Sequence, residues 1–206
     1  MLRAWWEMPD AEFFAAFGLF VRREFLDPRL CEGLRLEMAT APARAAPVAE
    51  SDADAVDEGY RRTVSAQVSE ATRSLVQQRL LDLKPTVERH FEIELKGCQP
   101  AQFLRYRVGD YFRAHADHEA EGMQHVTERR VSAVVFLNGE SADPGADSYN
   151  GGALTFFGLM GDERADSVGL PLVGETGLLV AFSADLVHSV APVTGGERYT
   201  LVSWFV

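Results

Sequence analysis

Apolar residues recur at helical spacing through the first half of this chain and alternate with polar ones through the second. Ahead of Phe13, Phe14, Phe17, Phe20 and Val21 stands Asp10, with Pro9 before it; the spacing predicts an amphipathic helix capped by the aspartate. A second helix is predicted over 29–38, with Leu30, Leu34 and Met38 on one side. Residues 61–68 read as a strand through Val64, Ala66 and Val68. Helical periodicity returns over 69–83 and 85–95 through Leu75, Val76, Leu80, Leu83, Val87 and Phe91, and Pro85 either opens a new helix or kinks one long helix. Between 39 and 59, Ala, Pro, Ser and acid replace large apolar residues, so a mobile loop is expected there, as a solvated insertion or a lid.

Beyond Gln99 the pattern shortens to strand-like runs at 101–107, 111–115, 130–137, 153–157, 177–182, 186–190 and 199–206. The breaks between them hold Gly109, Asn138–Gly139, Pro144–Gly145, Asn150–Gly151–Gly152, Gly174 and Gly195–Gly196. A parallel nucleotide-binding sheet needs helices between its strands, and none is predicted here. Seven strands with helices mainly ahead of them point instead to an α+β, mainly β chain built on an antiparallel double sheet of jelly-roll type. No repeat and no phosphate-binding glycine motif is present.

Composition narrows the partners. At 206 residues the chain suits one domain, with 1–98 as a helical and loop support and 99–206 as the core. Lys and Arg number 20 against 31 Asp and Glu, a net charge of −11, so no electrostatic grip on nucleic acid is expected. Glu7, Asp10 and Glu12 interrupt the N-terminal apolar residues with no small-residue cleavage site after them, so no secretory leader is expected, and no apolar run reaches membrane-spanning length. Cys31 and Cys98 fall in no metal-binding spacing and are expected as reduced thiols of a cytoplasmic protein. Nothing in the sequence decides the oligomeric state.

The chemistry gathers around 103–118, FLRYRVGDYFRAHADH. Alternate residues of a strand point to one side, so His115 and Asp117 can converge on one point, with His188 in LVHSV as a third ligand. Two histidines and one carboxylate that leave positions open suit non-haem Fe(II). His118 and His125 are expected at the mouth of the site, and Phe112, Phe136, Phe156 and Trp204 in the core.

The pattern Tyr106, Gly109, His115, Asp117, His188, Arg198 resembles the Fe(II)- and 2-oxoglutarate-dependent dioxygenases, particularly the prolyl 4-hydroxylase-like branch. The segment NGGALTF resembles that family's Gly-Gly strand. The resemblance covers about half the chain and implies a double-stranded β-helix. It implies Fe(II) on His115, Asp117 and His188, 2-oxoglutarate and dioxygen as cosubstrates, and ascorbate as a candidate reductant. A buried dicarboxylate needs a cation and donors, so Arg198 and Tyr106 are the implied cosubstrate residues, with Thr200, two residues on along the same strand, as a third. The implied reaction is hydroxylation of an unactivated C–H bond, first of a prolyl residue in a protein or peptide, which 39–59 and 138–152 would clamp; a free amino acid or other small molecule is the alternative substrate. One departure stands out: related hydroxylases carry a tyrosine three residues before the proximal histidine, where this chain has Phe112 beside Tyr111. Other classes remain open on the residues, namely a non-catalytic jelly-roll metal sensor and a zinc hydrolase; the latter calls for an acid beside a metal-bound water.

Overall fold

Strand pairing joins residues far apart in sequence, because each short apolar run can bury its faces only against a distant partner. The computed structural model describes residues 11–46, 57, 59–118, 127–159 and 167–206. Among these, one seven-stranded sheet runs Phe20–Arg22, Leu179–Ser183, Val131–Phe136, Arg198–Phe205, Gln102–Tyr106, Val64–Ala66, Ala43–Ala45. A five-stranded sheet runs Leu170–Leu172, Leu154–Phe156, His188–Val190, Tyr111–His115, Arg61–Arg62, and a small sheet joins Val193–Gly196, Ser148–Gly151 and Gly139–Glu140. The pairs are antiparallel except Gly139–Glu140 with Ser148–Gly151.

Parity along the central strands sorts side chains onto two faces. Val131, Ala133 and Val135 pack with the helices Pro28–Thr40 and Glu70–Phe91. Val134 and Phe136 turn the other way, toward Leu154, Phe156 and Val190 of the five-stranded sheet. The large sheet is therefore covered on both faces, and the interior between the two sheets is the double-stranded β-helix. Arg198, Thr200 and Trp204 share one parity on the last strand, and register sets Arg198 opposite Tyr106 and Thr200 opposite Leu104 and Phe136. With Leu104, Tyr106 and Phe136 in the inter-sheet cluster, that parity is the inner one.

The helices buttress the outer face. Pro28–Thr40 begins at Pro28, whose missing N–H is harmless there, and Asp27 accepts from the Leu30 amide at 3.0 Å. The two stretches expected at 69–83 and 85–95 are one helix, Glu70–Phe91, with Pro85 inside it. Ser69 caps it by accepting from the Thr72 amide, and Glu37 reaches over from the neighbouring helix to accept from the Ser69 amide at 2.6 Å. Its inward stripe, Val76, Leu80, Leu83 and Val87, is buried, each side chain contributing roughly 1.5–3 kcal/mol.

Three expectations are corrected. The N-terminal helix stops at Ala15, because Gly18 turns the chain at φ 71°, and Phe20–Arg22 pairs as a strand with Leu179–Ala181. Asp10, its expected cap, lies outside the described residues, as does His125. Most of the loop expected at 39–59 lies outside them too, but Ala43–Ala45 is ordered as an edge strand on Val64–Ala66. Gly195 and Gly196, read as a break, belong to a strand.

One glycine holds the sheet to the helical layer. Gly177 has φ 80° and accepts from the Phe25 amide at 2.9 Å, while a Cβ there would lie 2.1 Å from the Leu26 carbonyl oxygen. Gly177→Ala is expected to cost about 2–3 kcal/mol from strain and overpacking. Thermal melting should drop by roughly 5–10 °C. Both cysteines are free, and no helix among the described residues is long and apolar enough to cross a membrane.

Candidate metal centre

Register brings the two histidines together: His115 and His188 are direct cross-strand partners in the five-stranded sheet. Asp117 follows two residues after His115, where its amide donates to the Ala184 carbonyl at 2.8 Å and ends the strand. One donor atom from each of these three residues lies within 4.8 Å of the others, and they are the one such cluster among the described residues. His115 Nε2 stands 3.5 Å from Asp117 Oδ1 and His188 Nε2 3.7 Å from Asp117 Oδ2.

The donor set suits a divalent cation. His115 Nδ1 lies 2.8 Å from the Arg113 carbonyl and His188 Nδ1 3.0 Å from the Leu186 carbonyl. A carbonyl only accepts, so each Nδ1 carries a proton, and each Nε2 is the nitrogen that faces Asp117 and is free to ligate a metal. Ser132 donates to Asp117 Oδ2 at 2.6 Å, and Arg129 donates to the Asp117 carbonyl at 3.3 Å, which fixes the carboxylate's direction. The Arg129 guanidinium carbon itself lies over Trp204, 3.6 Å from the ring centre.

Protonation states agree with that reading. Burial pushes the Asp117 carboxyl upward, but His188, His115 and the Ser132 hydroxyl together hold it well below the usual carboxylate range. Burial also lowers His188, against the pull of Asp117, to about 4. An imidazole with a depressed folded pKa binds fewer protons folded than unfolded, so its contribution to stability is lost as pH falls, here from 6.5 toward 4. Asp117, also depressed, acts in the same direction below 3.8. Metal-free protein should therefore melt progressively lower between pH 6.5 and 4, and a melting series on His188→Gln should give a flatter slope over that window.

The residues expected to hold an oxoacid lie nearby in the same interior. Arg198 is 1% exposed, and its Nη1 donates to Thr200 Oγ1 at 3.4 Å. Its Nε and Nη2 are buried and find no hydrogen-bond partner among the described residues. The rings of Tyr106, Phe136 and Tyr149 surround the guanidinium, centred 5.1, 5.0 and 5.9 Å from Cζ. Glu140 feels the charge of Arg198, but no ion pair to Arg198 forms among the described residues; a buried cation with N–H groups unmet there fits an anion, and a planar fork fits a carboxylate.

Several neighbours differ from expectation. Phe112 is not plain core: its ring stacks on His115 at 3.6 Å and 20°, with the Arg61 guanidinium carbon 4.6 Å from the Phe112 ring centre. A bulge accounts for this. His188 to Val190 spans two steps and faces the three from His115 back to Phe112, which swings Phe112 onto the histidine's side. Tyr111 faces away and donates to the Gly59 carbonyl at 3.0 Å, so it does not replace the tyrosine of related hydroxylases. His118 Nδ1 sits against the Arg129 carbonyl, outside the three-residue cluster. Phe136 and Phe156 are core as expected.

Ser132, Tyr149 and Arg61 were not singled out by the sequence. Ser132 did leave a signal, as a polar residue in an otherwise apolar run that must be buried on both faces.

Comparison with known proteins follows the geometry. A PKHD-type hydroxylase of Hyphomonas neptunium is 29% identical over 150 residues, 70% of this chain and 59% of that protein. Another, from Beijerinckia indica, is 35% identical over 109 residues, 51% of this chain and 42% of that one. The chain thus spans less than two thirds of the length of these curated relatives. A Pseudomonas putida prolyl-4-hydroxylase superimposes with a TM-score of 0.67 at 24% identity over 95% of both chains. A Trichoplax adhaerens prolyl hydroxylase, solved with a hypoxia-inducible-factor peptide, superimposes at 0.69 and 14% identity over 95% of this chain and 86% of that one. These two likenesses speak for the fold. The model of the 2OG-Fe(II) oxygenase superfamily matches residues 101–206, the half of the sequence that contains both histidines, the aspartate and the buried arginine, and the chain belongs to that superfamily.

Proposed function

We propose that this chain is a hydroxylase that uses Fe(II), 2-oxoglutarate and dioxygen to oxidise an unactivated C–H bond of a prolyl residue in a protein or peptide. In this reading His115 Nε2, His188 Nε2 and the Asp117 carboxylate hold the iron, and Arg198, Tyr106 and Thr200 hold the distal carboxylate of 2-oxoglutarate. Residues 1–206 act as one unit, the helices stiffening the sheet that carries Arg198. The observation that carries the reading is the pairing, in one interior, of a His-Asp-His donor set with a buried arginine that has donors to spare.

The overall balance is C–H, dioxygen and 2-oxoglutarate in, C–OH, succinate and carbon dioxide out. Fe(II), when bound, supplies the redox chemistry that couples the decarboxylation to the hydroxylation. The protein's part is positioning. The two imidazoles and the carboxylate would hold the metal through three donors, which would leave it able to take up the oxoacid and dioxygen as well. Ser132 and the backbone carbonyls at Arg113 and Leu186 keep the donors aimed. Phe112, Phe156 and Phe182 crowd the histidines and keep stray water from the reacting centre. Hydrogen abstraction needs no side-chain acid or base, and none is assigned.

The prolyl substrate is supported by the prolyl hydroxylases among the structural neighbours, one of them solved with a peptide. Fe(II)-loaded protein should be incubated with 2-oxoglutarate, oxygen and a panel of proline-containing peptides beside free proline and other amino acids. A peptide that gains one oxygen at proline, with matching succinate, is the expected result. Turnover confined to free amino acids would overturn the peptide assignment.

A further inference from the structure

Arg198 is not alone in having a buried donor without an acceptor. Tyr149, from the strand Ser148–Gly151, is 0% exposed, and its hydroxyl has no hydrogen-bond partner among the described residues. A buried phenol normally finds one, because an unmet hydroxyl costs free energy. Its ring is one of the three around the Arg198 guanidinium, 5.9 Å from Cζ. Burial pushes the phenol upward, and the arginine's charge only partly offsets that, so Tyr149 is a neutral O–H donor at physiological pH.

Glycines make room for this pair. A Cβ at Gly174 would lie 2.1 Å from the Tyr149 hydroxyl oxygen and 2.6 Å from Phe136 Cδ1. A Cβ at Gly152 would lie 3.0 Å from Arg198 Cδ and 3.6 Å from Tyr149 Cε2. Two glycines on different segments thus leave the phenol and the guanidinium side by side. A carboxylate offers about four lone-pair sites, more than one guanidinium fork fills. Resting on the oxygenase reading above, we propose that Tyr149 is a further cosubstrate-binding residue, donating its hydroxyl to the distal carboxylate of 2-oxoglutarate beside Arg198.

Tyr149→Phe tests this, since it keeps the ring and its packing and removes only the donor. Binding is measured by calorimetry on anaerobic Fe(II)-loaded protein with two ligands: 2-oxoglutarate, and 2-oxovalerate, which has the same chain length and oxoacid head but no distal carboxylate. Losing one hydrogen bond to a charged group should weaken 2-oxoglutarate about 10-fold or more and leave 2-oxovalerate unchanged. Ligand-free melting should hold or rise, because an unpaired buried hydroxyl has been removed. Equal weakening of both ligands would mean a merely structural role, and unchanged 2-oxoglutarate affinity would remove Tyr149 from the seat; either result overturns the proposal. Failure of the wild-type protein to bind 2-oxoglutarate at all would instead sink the oxygenase reading and this one with it.

Discussion

Asp117→Ala is expected to abolish tight Fe(II) binding. The carboxylate is the single anionic donor of the cluster, and both imidazoles point at it from 3.5 and 3.7 Å. Removing a supporting hydrogen bond from a metal site typically costs roughly 10- to 100-fold in affinity, so losing the ligand itself should exceed about 100-fold. Asp117→Asn keeps the volume and a group that can meet the Ser132 hydroxyl, and it should lose nearly as much because the charge is gone. Anaerobic competition with a chromogenic iron chelator gives the affinities. Wild-type affinity in either folded variant would take the metal away from this site.

Arg198→Met should separate binding from stability. The methionine fills similar space among Tyr106, Phe136 and Tyr149 but removes a buried charge with two unpaired nitrogens. Without cosubstrate that charge is a burden only partly relieved by the surrounding rings and the Thr200 contact, so the ligand-free variant should melt at or above the wild-type temperature. With cosubstrate the same change removes the charge partner of a buried carboxylate. A loss of about 3–4 kcal/mol follows, roughly 100- to 1,000-fold in 2-oxoglutarate affinity, while iron affinity stays put. A variant that melts lower and still binds 2-oxoglutarate as wild type would make Arg198 a structural residue.

The second half of the chain was legible because its strands obey a simple rule. Short apolar runs between glycine turns could be drawn close to their observed bounds, and H-x-D on a strand end made two ligands visible. Arg198 and Tyr106 were found by resemblance, and their facing one another is a matter of register that no local pattern carries. The N-terminal aromatic residues misled because Phe13, Phe14, Phe17, Phe20 and Val21 satisfy helical spacing, whereas the pairing of Phe20 with Ala181 depends on a strand 161 positions away. Ala43–Ala45 was illegible for another reason: an exposed edge strand of Ala, Arg and Ala buries nothing and leaves no periodic trace. Tyr149 was hidden by the Asn-Gly-Gly that follows it, which reads as a turn and draws attention away from the aromatic before it. Phe112 met His115 only through a bulge, which shifts parity in a way alternation cannot foresee.

The most direct measurement is optical. Anaerobic, Fe(II)-loaded protein titrated with 2-oxoglutarate should develop the weak visible charge-transfer band of a chelated 2-oxoacid, saturating at one equivalent, and admitting oxygen should discharge it with release of succinate. His115→Ala should show neither. A folded wild-type protein that takes up iron yet gives no band and no succinate would contradict the account.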